Sequence, residues 1–165
     1  FSIRNIMKAQ NNIPFPPEKE EKTRYMWRDI ERRAKKHGLP VPKTPVPYPL
    51  QKFDLANKIG LVANKEGWYL EYFRETYKVW FLEGKEAGSE QNLEETFKNP
   101  GKNFVQVIDK SQEKAIVDEY NHNTEEALNK GIFGAPSFCV ENEIFWGDDR
   151  LEDAIEFLRE SEKVN

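Results

Sequence analysis

The sequence has 165 residues, of which 38% are hydrophobic, 33% charged and 13% aromatic. The net charge of −4 argues against a basic nucleic-acid-binding surface, and the 4 Trp, 6 Tyr and 11 Phe residues argue against a disordered chain. No apolar run reaches the ~18 residues that span a bilayer. One cysteine excludes an internal disulfide and a cysteine-based zinc cluster, which indicates a reducing compartment or no use for crosslinks. We expect a cytoplasmic protein that binds neither nucleic acid nor membrane.

Residues 1–6 alternate apolar and polar side chains, which predicts the end of a strand. No secretory signal pattern is present. A strand end without a nearby partner is a poor start for a domain, so we expect residues upstream of Phe1. A short independent N-terminal arm is the alternative.

Prolines divide the next fifty residues. Pro14, Pro16 and Pro17 predict a loop over 11–17, and a charged helix then runs from about Glu18 to His37. The predicted buried stripe of this helix is Tyr25, Met26, Ile30 and Ala34. The five prolines between Leu39 and Leu50 predict an extended connector.

The middle of the chain is predicted to be helical. Leu55, Ile59, Val62 and Ala63 mark one helix that closes near Gly67. The strongest helical periodicity of the sequence comes next, and it favours a stripe that faces the core over a stripe that lines a ligand cavity. This stripe consists of Tyr69, Tyr72, Phe73, Thr76, Tyr77, Trp80 and Phe81.

Three further helices are predicted before residue 130. The first covers Ser89–Lys98 and ends at the turn Asn99-Pro100-Gly101; the second is short, around 104–108. Ser111 is predicted to cap a long helix that reaches Asn129. Its predicted inward residues are Ile116, Tyr120, Asn123, Ala127 and Leu128.

A β-hairpin and a last helix are predicted at the end of the chain. Residues 131–136 form a loop, 137–140 and 144–146 form the strands, and 147–150 open the helix. Asp148 or Asp149 is predicted to lie at its N-cap or in its first turn. The predicted apolar face consists of Leu151, Ala154, Ile155 and Leu158.

Two segments of this hairpin are candidates for chemistry. If the Ala135–Pro136 bond is cis, which holds for about 5–6% of such bonds, the Ala135 backbone faces outward and can pair with an extended ligand. Residues 146–150 combine a helix N-terminus, which attracts a carboxylate, with an aspartate that attracts an ammonium group. Together they could hold an amino-acid-like zwitterion. A plain N-cap beside a surface arginine is the alternative.

The order and spacing of these segments resemble a known family. Gly-Ile-Phe-Gly-Ala-Pro-Ser-Phe (131–138), Ile-Phe-Trp-Gly-Asp-Asp-Arg-Leu (144–151) and Asn-Thr-Glu-Glu-Ala-Leu (123–128) carry the resemblance, together with Arg-Asn-Ile-Met-Lys (4–8) and Trp-Phe-Leu-Glu-Gly (80–84). The chain resembles the 2-hydroxychromene-2-carboxylate isomerases, which group with the kappa-class glutathione transferases among the DsbA-like thioredoxin-fold proteins.

The resemblance implies an α/β fold in which a thioredoxin-like domain (1–18 and 130–165) is interrupted by an all-helical insertion (19–129). It implies glutathione as the cofactor, bound between the two parts, and a homodimer. The family's first strand and helix lie upstream of Phe1, so we expect the front of this domain to be absent from the sequence.

The resemblance also implies a set of glutathione contacts. Ala135, before a cis Pro136, would pair through its backbone with the cysteinyl unit, and Asp149 with Asp148 would hold the γ-glutamyl end. Relatives often carry Ser or Asn in place of Asp148, so either its side chain or its backbone amide takes part. Asn12 and Lys22 would contact glutathione from the other side, with Asn11 as an alternative match to Asn12.

No catalytic residue is assigned. In the family a serine near the end of the first strand hydrogen-bonds the glutathione sulfur, and none of Ser2, Ser89, Ser111, Ser137 and Ser161 has that context. Cys139 is predicted to be a small buried hydrophobe, and neither His37 nor His122 is given a chemical role.

The leading prediction is therefore a glutathione-dependent isomerase that acts on an aromatic or unsaturated carboxylate. The alternatives are a kappa-type glutathione transferase, a DsbA-like thiol–disulfide oxidoreductase if Cys-x-x-Cys lies upstream, and a non-catalytic binding domain.

Overall fold

The computed structural model describes residues 1–12, 14–16, 18–98 and 101–164. The chain divides into two compact units, which we call the small unit (Phe1–Asn12 with Asn121–Asn165) and the helical unit (Ile13–Tyr120). The structure contains the predicted combination of α and β elements together with a helical unit. The domain boundaries predicted from the sequence stay a prediction.

Helices dominate the described residues, and one antiparallel hairpin forms the sheet. The helices are α1 (Ile3–Ala9), α2 (Glu20–Lys36), α3 (Phe53–Lys65), α4 (Tyr69–Glu83), α5 (Glu90–Lys98), α6 (Phe104–Ser111), α7 (Lys114–Asn129) and α8 (Leu151–Val164). The strands are β1 (Ser137–Val140) and β2 (Glu143–Trp146). The predicted helices over 18–37, 55–67, 89–98 and 104–108, and the predicted hairpin, are confirmed to within a few residues.

The helical unit has a continuous apolar core contributed by α3 to α7. Ile59 and Ala63 of α3 are completely buried, and Leu93 of α5 is 1% exposed. The remaining buried members of this cluster are Val62, Trp68, Tyr72, Phe97, Val107 and Ile116. Spacings of three and four residues within each helix place these side chains on one face, so the amphipathic pattern of the sequence is enough to build this unit.

A buried polar network joins α4 to α5 within that core. Asn92 is completely buried, accepts a hydrogen bond from the Thr76 hydroxyl (2.8 Å), and donates to the backbone oxygens of Thr76 (3.2 Å) and Lys85 (3.1 Å). The Thr96 hydroxyl donates to the same amide oxygen (3.3 Å). Because both the donor and the acceptor of the buried amide are paired, it fixes the packing of the two helices without an unsatisfied polar group.

The aromatic stripe of α4 divides into two faces. Tyr72 and Thr76 are 4% exposed and face the core, whereas Tyr69, Phe73 and Tyr77 are 40–43% exposed. The Tyr72 hydroxyl donates to the Ala56 backbone oxygen (2.8 Å), and burial raises the pKa of Tyr72. The prediction that the whole stripe faces the core is therefore wrong for the ridge at 69, 73 and 77. Residues four apart are rotated by about 40° around the helix axis, so the seven residues of the stripe cover a wider arc of the helix than the core contacts.

The small unit has a much smaller core. Ile6 of α1, Ala127 of α7 and Ile132 are buried together, with Ile3 and Ile144 packed against them. The hairpin pairs Ser137 with Trp146 and Cys139 with Ile144. Phe145 contacts Phe157 of α8 at 5.7 Å between ring centroids, which places α8 against the hairpin.

The predicted strand end at residues 1–6 is wrong, because these residues begin α1. The Ser2 side chain accepts a hydrogen bond from the Asn5 amide (3.2 Å) and so caps the helix, while the Ser2 amide donates to the Thr124 hydroxyl (2.8 Å). Ile3 and Ile6, three residues apart, satisfy the helical period as well as the strand alternation. The N-cap serine is the signal that decides between them.

Several predicted side-chain environments are also wrong. Ser111 does not cap α7; it is the last residue of α6, and its hydroxyl donates to the Ile108 backbone oxygen (2.7 Å). Tyr25 of α2 is 61% exposed, and Leu128 of α7 is 42% exposed. Met26, Ile30 and Ala34 of the predicted stripe are half-buried, and no described residue of α2 is fully buried. Leu128 lies beside the buried face of α7, where hydrophobicity alone does not place a side chain.

The face of α8 and the environment of Cys139 also differ from prediction. Ala154 is buried, but the other three residues of the predicted apolar face are exposed, namely Leu151, Ile155 and Leu158. Cys139 is exposed, because the outward side of β1 is left uncovered by the described residues.

Some predicted features lie outside the described residues. The prolines and turn residues at 17, 99 and 100 belong to this group. The predicted connector at 39–50 contains no helix or strand, as expected. Over the described ranges, no helix is both long and apolar enough to cross a membrane.

Candidate functional site

The hairpin brings two predicted site segments together. The Gly147 amide donates to the Pro136 backbone oxygen (3.1 Å), which extends the strand pairing by one step beyond Ser137 and Trp146. Residues 134–136 before β1 therefore lie beside residues 147–149 after β2. The sequence predicted both segments, and the antiparallel register explains why they are adjacent.

The loop that carries Ala135 is built around a glycine. Gly134 is buried, and a Cβ at this position would overlap the indole ring of Trp146. The Ser137 hydroxyl donates to the Gly134 backbone oxygen (2.8 Å), which closes the loop at the start of β1. Trp146 also contacts Phe133, with ring centroids 4.9 Å apart. Gly134 is a functional candidate that the sequence reasoning passed over, although its place before Ala-Pro was visible.

Ala135 presents a free backbone edge. The Ala135–Pro136 peptide bond is cis, as the resemblance implies, and both residues are exposed. Within the described part of the chain, neither the amide nor the carbonyl of Ala135 is hydrogen-bonded. An exposed and unpaired backbone residue beside a strand can accept an extended ligand by main-chain hydrogen bonds.

The turn after β2 concentrates charge at the start of α8. Arg150 immediately precedes the helix, and its carbonyl accepts from the Ala154 amide (3.1 Å). The prediction that Asp148 or Asp149 caps this helix or lies in its first turn is therefore wrong. Both aspartates precede the cap, and the Asp149 carboxylate instead folds back over Gly147, where a Cβ would lie 2.6 Å from its Oδ1.

Ion pairs hold Arg150 beside Asp149. The guanidinium donates to Asp153 (2.8 Å) and contacts Asp149 (3.3 Å), and these two carboxylates raise the pKa of Arg150, Asp153 by the larger amount. The Asp149 side chain is 52% exposed. The turn thus offers an accessible carboxylate, an arginine and the free amides of a helix N-terminus within a few residues.

Asn12 and Lys22 belong to different units of the chain. The Asn12 amide donates to the Met7 backbone oxygen (2.8 Å) at the end of α1, and its exposed side chain has no hydrogen-bond partner among the described residues. Lys22 lies exposed in the first turn of α2, again without a partner in the described ranges. The helix dipole disfavours a cation at this position, so an anion bound nearby would stabilise it.

A surface cavity of 640 Å³ lies elsewhere, in the helical unit at the start of α4. Its lining includes Trp68, Tyr69 and Arg74, and none of the predicted site residues. Among the described residues, no group of three or more His, Cys, Asp or Glu side chains could hold a metal ion.

Comparison with known proteins identifies the family. The sequence profile of the DSBA-like thioredoxin domain matches residues 1–159. The chain belongs to the DSBA-like thioredoxin domain family. A curated relative, the 2-hydroxychromene-2-carboxylate isomerase of Sphingobium xenophagum, is 26% identical over 145 residues, which cover 87% of this chain and 72% of the relative.

A solved structure shares the DSBA-like fold over the whole chain. The structure of a 2-hydroxychromene-2-carboxylate isomerase superposes with a TM-score of 0.78 at 20% identity, covering 100% of this chain and 82% of that protein. At this identity the likeness establishes the fold, and it confirms the predicted thioredoxin-like α/β fold with a helical insertion. The resemblance derived from the sequence is confirmed at the level of the family.

Proposed function

We propose that this DSBA-like protein is a glutathione-dependent isomerase of the 2-hydroxychromene-2-carboxylate type, acting on an aromatic or unsaturated carboxylate. The observation that carries the proposal is the pairing of Gly147 with Pro136, which sets a free backbone edge beside an exposed carboxylate and a helix N-terminus. The relative from Sphingobium xenophagum, at 26% identity, is a 2-hydroxychromene-2-carboxylate isomerase by name.

The polar groups of the hairpin and of the turn after β2 fit the chemistry of glutathione. The free backbone of Ala135 suits the peptide of the cysteinyl unit, since an extended chain pairs through its own amide and carbonyl. The exposed Asp149 carboxylate suits the ammonium group of the γ-glutamyl end. The amides at the start of α8 suit its carboxylate, because helix N-termini bind anions. Asp148 adds a further carboxylate or a backbone amide to the same turn.

Two residues outside the hairpin complete the proposed contacts. Asn12 offers an amide without a partner in the described chain, and Lys22 offers a cation for a carboxylate. Their part in binding stays a prediction. A lysine acts as a flexible point charge, so it suits a carboxylate without requiring a fixed geometry.

Bound glutathione would supply a thiolate that adds reversibly to the unsaturated carboxylate, so that a bond can rotate before the thiolate leaves. The residues named above would bind and orient this cofactor and keep its peptide extended along Ala135. The cationic Lys22 would also favour the anionic forms of cofactor and substrate. No residue of the chain is assigned to stabilise the thiolate.

Titration calorimetry of the full-length protein with glutathione tests the proposal. We expect wild-type binding in the micromolar to millimolar range, weakened about tenfold by Asp149→Ala, since a charge-assisted hydrogen bond contributes about 1.5–3 kcal/mol. Asp118→Ala is the matched control, because Asp118 is a similarly exposed carboxylate (58%) paired with Lys114 at 2.5 Å. It should bind glutathione like the wild type.

Turnover of 2-hydroxychromene-2-carboxylate, followed by absorbance with and without glutathione, tests the reaction. Isomerisation that requires glutathione supports the proposal. Absence of glutathione binding by the full-length protein, or isomerisation at the same rate without it, contradicts the proposal.

A further inference from the structure

Three aromatic rings of the helical unit form a closed cluster, which we call the aromatic clamp. Phe15 stacks on Trp27 of α2 with ring centroids 4.4 Å apart, and Tyr48 contacts Phe15 at 5.0 Å and Trp27 at 6.4 Å. All three side chains are partly buried. The clamp lies outside the main core, so its role is local.

The clamp joins two loops whose described residues, 14–16 and 39–50, lie in neither a helix nor a strand. Phe15 is flanked by Pro14 and Pro16, and Tyr48 is flanked by Pro47 and Pro49. Each Pro-aromatic-Pro segment places one ring against Trp27. Prolines remove backbone donors from both loops, so ring contacts add to the hydrogen bonds that the backbone oxygens of these loops accept.

Phe15 is held in an unfavourable backbone conformation. Its φ of 53° lies in the left-handed region, which is unfavourable for a residue with a Cβ. Such a residue persists only where its surroundings fix it. The two ring contacts of Phe15 provide this restraint, so the position of the loop depends on the clamp.

The loop in turn fixes the first turn of α2. The Pro16 backbone oxygen accepts from the Lys19 amide (3.0 Å) and from the Thr23 hydroxyl (3.2 Å). No side chain caps the N-terminus of α2 at Lys19. Pro16, the residue after Phe15, therefore ties the N-cap residue Lys19 and the Thr23 side chain to the loop. Lys22 lies in the turn between these two contacts.

The other side of the clamp is anchored to α4. The Trp80 indole donates to the Pro47 backbone oxygen (3.0 Å), next to Tyr48, and Val46 is 5% exposed. The Lys43 amide donates to the Phe81 backbone oxygen (3.3 Å). Tyr48 is thus a fixed support against which Phe15 and Trp27 pack.

We propose that the aromatic clamp of Phe15, Trp27 and Tyr48 positions Lys22 to bind a carboxylate, with Trp27 as the central positioning residue. The proposal rests on the proposed function, in which that carboxylate belongs to glutathione. The clamp acts on binding through the first turn of α2, without contacting the ligand.

Two measurements on the full-length protein test this role. Hydrogen–deuterium exchange reports on the amides of residues 19–24 without any ligand. We expect these amides to exchange faster in Trp27→Ala than in the wild type. In Trp27→Phe, which keeps a ring, they should exchange at the wild-type rate. Calorimetry with glutathione should show about fivefold weaker binding for Trp27→Ala and nearly normal binding for Trp27→Phe. Tyr25→Ala is the control, because Tyr25 lies on the same helix with its side chain in solvent.

A double-mutant cycle separates positioning from general loosening of the fold. If Trp27 acts through Lys22, Trp27→Ala should have no further effect on glutathione affinity in a Lys22→Ala background. The same fivefold loss in both backgrounds overturns the proposal, as does unchanged exchange of residues 19–24 in Trp27→Ala. Wild-type protein that does not bind glutathione overturns the proposed function instead, and the exchange measurement then still decides whether the clamp restrains this turn.

Discussion

The two units of the chain differ in how much of their own stability they supply. The helical unit buries nine residues in one core, with Ile59 and Ala63 inaccessible to solvent. The core cluster of the small unit has three buried members, Ile6, Ala127 and Ile132. Yet the small unit carries Ala135, Pro136, Asp148 and Asp149, the residues of the proposed cofactor site. Main-chain edges and charges that bind ligand must stay exposed, so the unit that presents them has less surface left for a core.

Removing a large ring from the helical core tests the first half of this comparison. Phe97 is 4% exposed and contacts Trp68 and Tyr72 with centroids at 5.9 and 6.2 Å. We expect Phe97→Ala to lower the free energy of unfolding by about 4 kcal/mol, measured by urea denaturation. Phe73→Ala, on the exposed ridge of α4, should cost less than about 1 kcal/mol. Equal losses would contradict the division of α4 into a core face and a solvent face.

Adding one methyl group to the small unit tests the second half. Gly134→Ala places a Cβ against the indole of Trp146. We expect a loss of about 2 kcal/mol in the free energy of unfolding, together with weaker glutathione binding, because the loop that carries Ala135 must move. Trp146 is 54% exposed, so Trp146→Ala alone should cost little and should restore stability to Gly134→Ala. Failure of this rescue would show that the overlap with Trp146 is not the cause.

The smallest expected effect comes from the hydroxyl of Tyr72. Tyr72→Phe removes its hydrogen bond to the Ala56 backbone oxygen and should cost about 1 kcal/mol near pH 7. Burial raises the pKa of Tyr72 above its ordinary value of 10.0. The stabilisation of the folded state by this side chain is therefore fully present below pH 10 and is lost as the pH rises above 10. Wild-type stability should therefore fall faster than that of Tyr72→Phe above pH 10, by about 1.4 kcal/mol per pH unit. Denaturation across that range measures the difference, and Tyr25→Phe, in solvent, should follow the wild type.

Periodicity and turn residues predicted most of the fold. The helices of the helical unit follow from apolar spacings of three and four residues, and the hairpin follows from two short apolar runs around Glu141-Asn142. The errors fall where two patterns fit the same residues. At residues 3–6 the strand alternation and the helical period coincide, and the Ser2 cap decides for the helix.

The sequence predicted the motifs of the candidate site but not how they are arranged in space. The segments 135–136 and 148–149 were recognised from sequence, because their order matches a family. Their adjacency depends on the strand register and on the hydrogen bond from Gly147 to Pro136. The aromatic clamp was not foreseen. The three rings are far apart in sequence. The repeated Pro-aromatic-Pro pattern around Phe15 and Tyr48 was the one sequence signal that these two residues share a partner, Trp27.

Cys139 has a practical consequence for studying this molecule. It is the one cysteine of the sequence, it is exposed, and it lies on β1 four residues after Ala135, opposite Ile144. A maleimide fluorophore or a nitroxide spin label can therefore be attached at one defined position in the unmutated sequence. Changes in the emission or mobility of that label would report on the hairpin in real time as small thiols or acids are added.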